Sequence, residues 1–158
     1  MSTEVREILI VDLDGTLLRS DMLYESFWSA FGRDWKSPFS SAISLSGGRA
    51  SLKRHLASAS AVEAETLPFD ETVIAFVKSW RSSGGQTALV TASDQSFAEA
   101  IASYLGIFDE VHGSNGQRNL KGEQKGQFLE ARFGPKGFAY MGDAKADLPV
   151  WKRAAKAI

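Results

Sequence analysis

Asp12 and Asp14 flank a single residue at the end of the apolar run Ile8-Leu9-Ile10-Val11, and Gly15-Thr16 follow at once. Two carboxylates this close repel each other unless a cation or a proton intervenes. The cation such a pair suits is hard and oxygen-seeking, and Mg²⁺ fits that description. Gly15 lets the chain turn away sharply, and Thr16 is expected to fix the turn through its hydroxyl. Standing alone, an Asp-x-Asp at a strand end is more simply an Asx-type turn. Further along lie Thr91 at the end of a second apolar run, Lys121 and Lys125 in a polar stretch, and Asp143 and Asp147 after Gly142. Each has an ordinary reading of its own. A β-branched Thr suits any strand, a Lys suits a solvated helix start, and acids suit a helix N-terminus.

These residues need a frame that brings distant parts of the chain together. Ile8 to Val11 reads as a buried parallel strand, being a continuous apolar run. Thr87 to Thr91 follows Ser82-Ser83-Gly84-Gly85 and reads the same way, as does Phe138 to Met141 after Gly134-Pro135-Lys136-Gly137. Glu110 to His112 is a weaker strand. Between the strands the period changes to that of helices. Val73, Ile74, Phe76, Val77 and Trp80 form one face, Phe97, Ala98, Ile101, Tyr104 and Leu105 a second, and Phe128, Leu129 and Phe133 a third. Alternating strands and helices predict an α/β fold, a three-layer Rossmann-like parallel sheet with helices on both faces. Such sheets bind ligands beyond the carboxyl ends of their strands, where Asp12, Thr91 and Asp143 would all lie.

Residues 19–68 break the alternation. They are rich in Ser and Ala, with helical patterns from Met22 to Phe31 and from Arg49 to Ala57. Asp70 then resets the chain as the expected N-cap of the next helix. The division predicted is a core over 1–18 and 69–158, with a small helical cap over 19–68 inserted after the first strand.

Bulk properties narrow the class. The chain has 158 residues, 44% apolar and 23% charged, which suits one soluble globular domain. A formal net charge of −1 leaves no basic field to gather nucleic acid. Cys is absent, which removes thiolate chemistry and fits a reducing compartment. The N-terminus carries acids and no apolar h-region, and no run approaches the roughly 18 apolar residues of a membrane span. A cytoplasmic protein is expected.

The run Asp-Leu-Asp-Gly-Thr-Leu at 12–17 resembles the first motif of the haloacid dehalogenase-like (HAD) superfamily. Leu89-Val90-Thr91-Ala92-Ser93 resembles its second motif, the Lys-bearing segment 119–125 its third, and Gly142-Asp143-x-x-x-Asp147 its fourth. The ordered set spans 8–147. It implies a Mg²⁺-dependent phosphohydrolase in which Asp12 attacks phosphorus and Asp14 is the general acid and base. Asp12, the backbone carbonyl of Asp14 and Asp143 would hold Mg²⁺, with Asp147 assisting through water or orienting Asp143. Thr91 and a Lys would offset charge on the transferring group. Leu13, Gly15, Ala92 and Ser93 are expected to contact the substrate. A Lys reaching this site should stand at a helix start with apolar residues three and four positions on. Lys125 has Phe128 and Leu129 there, and Lys121, the alternative, has Gln124 and Lys125. With an acid at 14, the resemblance implies transfer to water or a sugar hydroxyl rather than ion transport.

The position of 19–68 resembles the small helical caps of some HAD phosphatases, which implies that it sets substrate choice. Its stripe Tyr24, Phe27, Trp28, Phe31 and Trp35 is the cap's own core or an apolar wall, and Arg49, Lys53, Arg54 and His55 are a solvated face or an anion contact. His112 is expected to be incidental. Thr-Ala-Ser-Asp at 91–94, Asn-Leu-Lys-Gly-Glu at 119–123 and Ala-Asp-Leu-Pro-Val-Trp at 146–151 also resemble the HAD domain fused ahead of UbiA-type membrane prenyltransferases. That resemblance implies a longer protein at the cytoplasmic face of a membrane, a further strand beginning at Ile158, and a polyprenyl-linked phosphosugar as substrate. Small phosphorylated substrates, a phosphomutase, and a regulatory domain without turnover are the other readings.

Overall fold

A computed structural model of the protein describes residues 7–19 and 67–158. The elements in chain order are β1 (Ile8–Val11), α1 (Glu71–Ser82), β2 (Gln86–Asp94), α2 (Gln95–Leu105), β3 (Glu110–Ser114), α3 (Gly122–Phe133), β4 (Phe138–Met141), a 3-10 turn (Lys145–Asp147), α4 (Leu148–Arg153) and β5 (Lys156–Ala157). The strands form one parallel sheet in the order β3-β2-β1-β4-β5. This is the α/β fold expected. β1 lies at the centre, where Val11 is in register with Leu89 on one side and Met141 on the other.

Alternation along the strands fills two cores. Leu9 and Val11 pack with Ile74 and Val77 of α1 and Ala98 and Ile101 of α2. Ile8, Ile10, Phe138 and Tyr140 pack with Leu129 of α3 and Val150 of α4. Both sheet faces are thus covered by helices, which is why the strand sequences are continuously apolar. Asp70 caps α1, its Oδ1 accepting from the backbone N–H of Thr72 at 2.9 Å and of Val73 at 3.3 Å.

Several details differ from expectation. β2 runs on to Asp94 and β3 to Ser114, with a register shift between Val90 and Asp94. Phe76 and Tyr104 leave the core faces assigned to them and stay 38% and 54% exposed. Tyr104 stacks on Phe69, and Phe76 leans on Trp80. Thr16 Oγ1 is buried without a hydrogen-bond partner among the described residues, so the hydroxyl does not fix the turn. Backbone bonds do so instead, from Leu17 N to Asp12 O at 3.3 Å and from Leu18 N to Leu13 O at 2.8 Å. At the other end β5 pairs with β4, and Ile158 N donates to Tyr140 O.

The segment between β1 and α1 enters and leaves through a narrow neck. Leu18 bridges Phe69 antiparallel, Arg19 N donates to Pro68 O at 3.1 Å, and Asp70 N donates to Leu17 O at 2.9 Å. The expected cap helices, aromatic stripe and basic cluster within 20–66 lie outside the described residues. Among the described residues, no helix is long and apolar enough to cross a membrane.

Candidate active site

The chain leaves β1 for β2 and β3 on one side and returns to β4 on the other. A doubly wound sheet opens a crevice at such a reversal, beyond the strand carboxyl ends. Asp12 is the first residue after β1, and its N–H donates to Met141 O at 3.0 Å, pinning it against the end of β4. Asp143 follows β4 after the single residue Gly142. Gly15 faces it with φ +77°, and a Cβ there would lie 2.8 Å from Asp143 Oδ2. Only glycine combines that backbone with so close an approach.

Asp12 is buried, and Lys125 Nζ donates to its Oδ1 at 2.7 Å. Lys125 is itself 2% exposed, reaching the site from the first turns of α3, with Nζ 4.0 Å from Asp147 Oδ1. Lys121 is exposed and is the N-cap residue of α3. Of the two lysines, Lys125 is therefore the one placed at the site. Arg153 fastens α3 to α4, with Nε on Glu130 Oε2 at 3.1 Å and an ion pair to Glu123.

Asp147 is buried between two donors. Tyr140 Oη donates to Oδ1 at 2.8 Å and Ala144 N to Oδ2 at 3.2 Å. On the opposite flank Ser93 Oγ donates to Asp14 Oδ2 at 2.6 Å and Thr91 Oγ1 to the same oxygen at 3.4 Å. Thr91 Oγ1 also accepts from Ser93 N at 3.0 Å. The residues expected to contact substrate thus divide. Leu13 is fully buried in the core, so only its backbone is available, whereas Gly15 is exposed and Ala92 half-buried. Ser93 is buried and engaged with Asp14.

One carboxylate oxygen each from Asp12, Asp143 and Asp147 lie within 4.8 Å of one another. Oxygens bound to one Mg²⁺ stand about 3 Å apart when adjacent and about 4 Å apart when opposite, so the three would draw together around such an ion. The donor set is all oxygen, which fits Mg²⁺ and not a thiophilic metal. Burial pushes the Asp12 carboxyl up to about 6, outweighing the Lys125 ammonium, which pulls it down. Asp147 and Asp14 add to the upward push. Burial likewise raises the Tyr140 hydroxyl far above its usual range, with Asp12 and Asp147 adding to the effect, so it remains a donor. A divalent cation would relieve the surplus negative charge.

Sequence reasoning did not single out Tyr140, and it gave Ser93 to the substrate. A tyrosine inside a buried strand needs a partner for its hydroxyl, and that was the available signal. His112 lies away from the cluster, paired with Glu110 at 2.9 Å and edge-on to Phe128.

The fold is of the three-layer α/β class, with a cluster of acids and one buried lysine at the reversal of its sheet. The chain belongs to the haloacid dehalogenase-like hydrolase family, whose model matches residues 9–152. It is 44% identical over 150 residues to the uncharacterized protein y4nM of Sinorhizobium fredii, and the match covers 95% of this chain. The matched region is 29% of that relative's length. Among solved structures, a protein from Bordetella pertussis Tohama I superposes with a TM-score of 0.71 at 16% identity, covering 96% of this chain and 88% of that one. A phosphoserine phosphatase held as a phospho-aspartyl intermediate analogue gives 0.64 at 17% identity, covering 96% and 85%. A predicted phosphoglycolate phosphatase from Haemophilus somnus gives 0.62 at 19% identity, covering 99% and 85%. At these identities the likeness to solved structures is one of fold.

Proposed function

We propose that this chain is a Mg²⁺-dependent phosphatase that hydrolyses a phosphate monoester through an aspartyl phosphate on Asp12. The observation that carries it is the convergence of Asp12, Asp143, Asp147 and the buried Lys125 at the crevice of the sheet. Asp12 is the nucleophile, forming a bond to phosphorus as the ester oxygen departs. Asp14, steadied by Ser93, gives a proton to that oxygen and then takes one from the water that cleaves the aspartyl phosphate. Lys125 and Thr91 offset charge on the phosphoryl oxygens. Asp12, Asp143 and the backbone carbonyl of Asp14 would hold Mg²⁺, with Asp147 supporting them. Bound there, the ion neutralises negative charge on the phosphoryl group and on the carboxylates that must approach it.

Phosphate release from a panel of esters, measured with and without Mg²⁺, tests this reading. Turnover should require the metal, and Asp12→Asn should abolish it with the fold retained. Mg²⁺-dependent turnover surviving in Asp12→Asn would overturn the mechanism. A phosphomutase would instead need a bisphosphate activator and release no inorganic phosphate. A regulatory domain would bind without turnover and would have no need of Asp14.

The finer reading is a core over 1–18 and 69–158 whose inserted segment 19–68 selects a polyprenyl-linked phosphosugar, in a protein fused to a membrane prenyltransferase. It is supported by the motif resemblances at 91–94, 119–123 and 146–151 and by the aromatic residues of the inserted segment. Full-length protein that ignores polyprenyl phosphosugars yet hydrolyses small sugar phosphates would sink it.

A further inference from the structure

Tyr140 lies in β4, two residues before Gly142, and is fully buried. A position that needed only bulk there would take Phe, which has no hydroxyl to desolvate. The hydroxyl instead donates to Asp147 Oδ1 at 2.8 Å, the same oxygen that stands 4.0 Å from Lys125 Nζ. The ring meets the same lysine, with Lys125 Nζ 5.1 Å from its centroid, within cation–π range. One side chain therefore touches both groups that surround Asp12 from the α3–α4 side of the sheet.

Its surroundings keep it there. Trp151 packs against the ring at a steep angle, with centroids 6.3 Å apart. A Cβ on residue 142 would fall 2.6 Å from Tyr140 Cε1 and 2.7 Å from Asp147 Oδ2. The glycine thus leaves the space that the tyrosine–aspartate pair fills. Asp147 Oδ2 accepts from Ala144 N, so the carboxylate is gripped at both oxygens.

We propose that Tyr140 is a positioning residue for this site, its hydroxyl fixing the Asp147 carboxylate and its ring seating the Lys125 ammonium beside Asp12. The proposal rests on the phosphatase reading above. Partners that orient metal-site carboxylates typically contribute 10–100-fold in affinity or activity. Tyr140→Phe keeps the ring and removes the hydroxyl, whereas Tyr140→Leu removes both.

The test pairs calorimetric Mg²⁺ titration of the metal-free protein with p-nitrophenyl phosphate kinetics. Tyr140→Phe should bind Mg²⁺ roughly tenfold more weakly and lose roughly tenfold in kcat, with KM within about twofold. Tyr140→Leu should lose more, because Lys125 also loses its seat. If Tyr140 acts through Asp147, Tyr140→Phe should cost less than about twofold when added to Asp147→Asn. Gly142→Ala, which crowds the same pair, should show the same loss and the same absorption, and it decides the matter if Tyr140→Phe does not fold. Mg²⁺ affinity and kcat within twofold of the parent, or a loss that adds in full on Asp147→Asn, would overturn the proposal. Asp143→Asn separates the two readings. If it binds Mg²⁺ as tightly as the parent, the metal reading fails and this proposal falls with it. If it loses the metal while Tyr140→Phe does not, only the role of Tyr140 falls.

Discussion

Ser93 Oγ donates to Asp14 Oδ2 at 2.6 Å, a contact between residues 79 apart in the chain. It ties the loop after β1 to the far end of β2. Among the described residues it is the shorter of two hydroxyl contacts to Asp14, Thr91 standing at 3.4 Å. Ser93→Ala should therefore lower kcat about tenfold on an alkyl phosphate, part of the 10²–10⁴ that general acid–base catalysis supplies. The loss should be smaller on p-nitrophenyl phosphate, whose leaving group departs with little need of a proton. Equal losses on the two esters would show that Ser93 does not act through Asp14.

On the proposed mechanism, Asp14→Asn would remove both proton transfers. Turnover of an alkyl phosphate should fall by roughly 10²–10⁴. With p-nitrophenyl phosphate, rapid mixing should show a burst of p-nitrophenol followed by slow turnover, because the second step still lacks its base. Mass spectrometry should then find the phosphoryl group on Asp12. A variant that turns over steadily with no phosphorylated protein would assign the base elsewhere.

The buried carboxyl of Asp12 makes stability depend on pH. Its folded-state value of about 6 lies above the 3.8 of the free side chain. Below 3.8 folded and unfolded chains both hold the proton, so nothing is lost there. As pH rises towards 6 the unfolded chain gives up its proton first, so stability falls, and it levels off above 6. At about 1.36 kcal/mol per unit the full cost is on the order of 3 kcal/mol. In EDTA, urea unfolding should show the parent losing stability relative to Asp12→Asn between pH 4.5 and pH 8. Mg²⁺ added at pH 8 should restore the parent and leave the variant unchanged. A difference between the two proteins that does not change with pH would contradict this account.

Gly15→Ala should damage the site at its tightest point. The positive φ costs an alanine about 1–2 kcal/mol, and the new methyl would press on Asp143. The thermal midpoint should fall, and Mg²⁺ affinity should drop by roughly tenfold or more. Calorimetry on the metal-free protein reads both. Unchanged Mg²⁺ affinity in a folded Gly15→Ala protein would remove Asp143 from the metal set.

Much of the core was legible in sequence, for reasons visible in particular residues. Ile8–Val11 and Phe138–Met141 are strands at the limits expected, since helices cover both faces and the runs stay apolar throughout. Asp70 signals its cap because a short acid before an apolar stripe has that use. The extension of β2 through Ala92, Ser93 and Asp94 gave no such sign, since polar and small residues carry no strand periodicity. Phe76 and Tyr104 show the limit of helical spacing, which marks a broad stripe without telling which flank the core reaches. At the site, residue types and order marked the aspartates. The hydroxyl contacts of Ser93 and Tyr140 depend on register and side-chain reach, which a linear sequence does not display.

The neck at Leu18 and Phe69 has a consequence for how such a chain can change. The backbone is clasped there by its own hydrogen bonds, so the residues that flank 20–66 on either side are already joined. A loop whose ends are already joined adds little closure entropy as it grows, only about 0.6 kcal/mol for each doubling of length. Evolution or an engineer can therefore exchange the whole insert for a shorter or longer one while the chemistry-bearing strand ends stay in register. If that insert selects the substrate, as proposed above, the clasp is a socket, and new substrate ranges would come from replacing what is plugged into it.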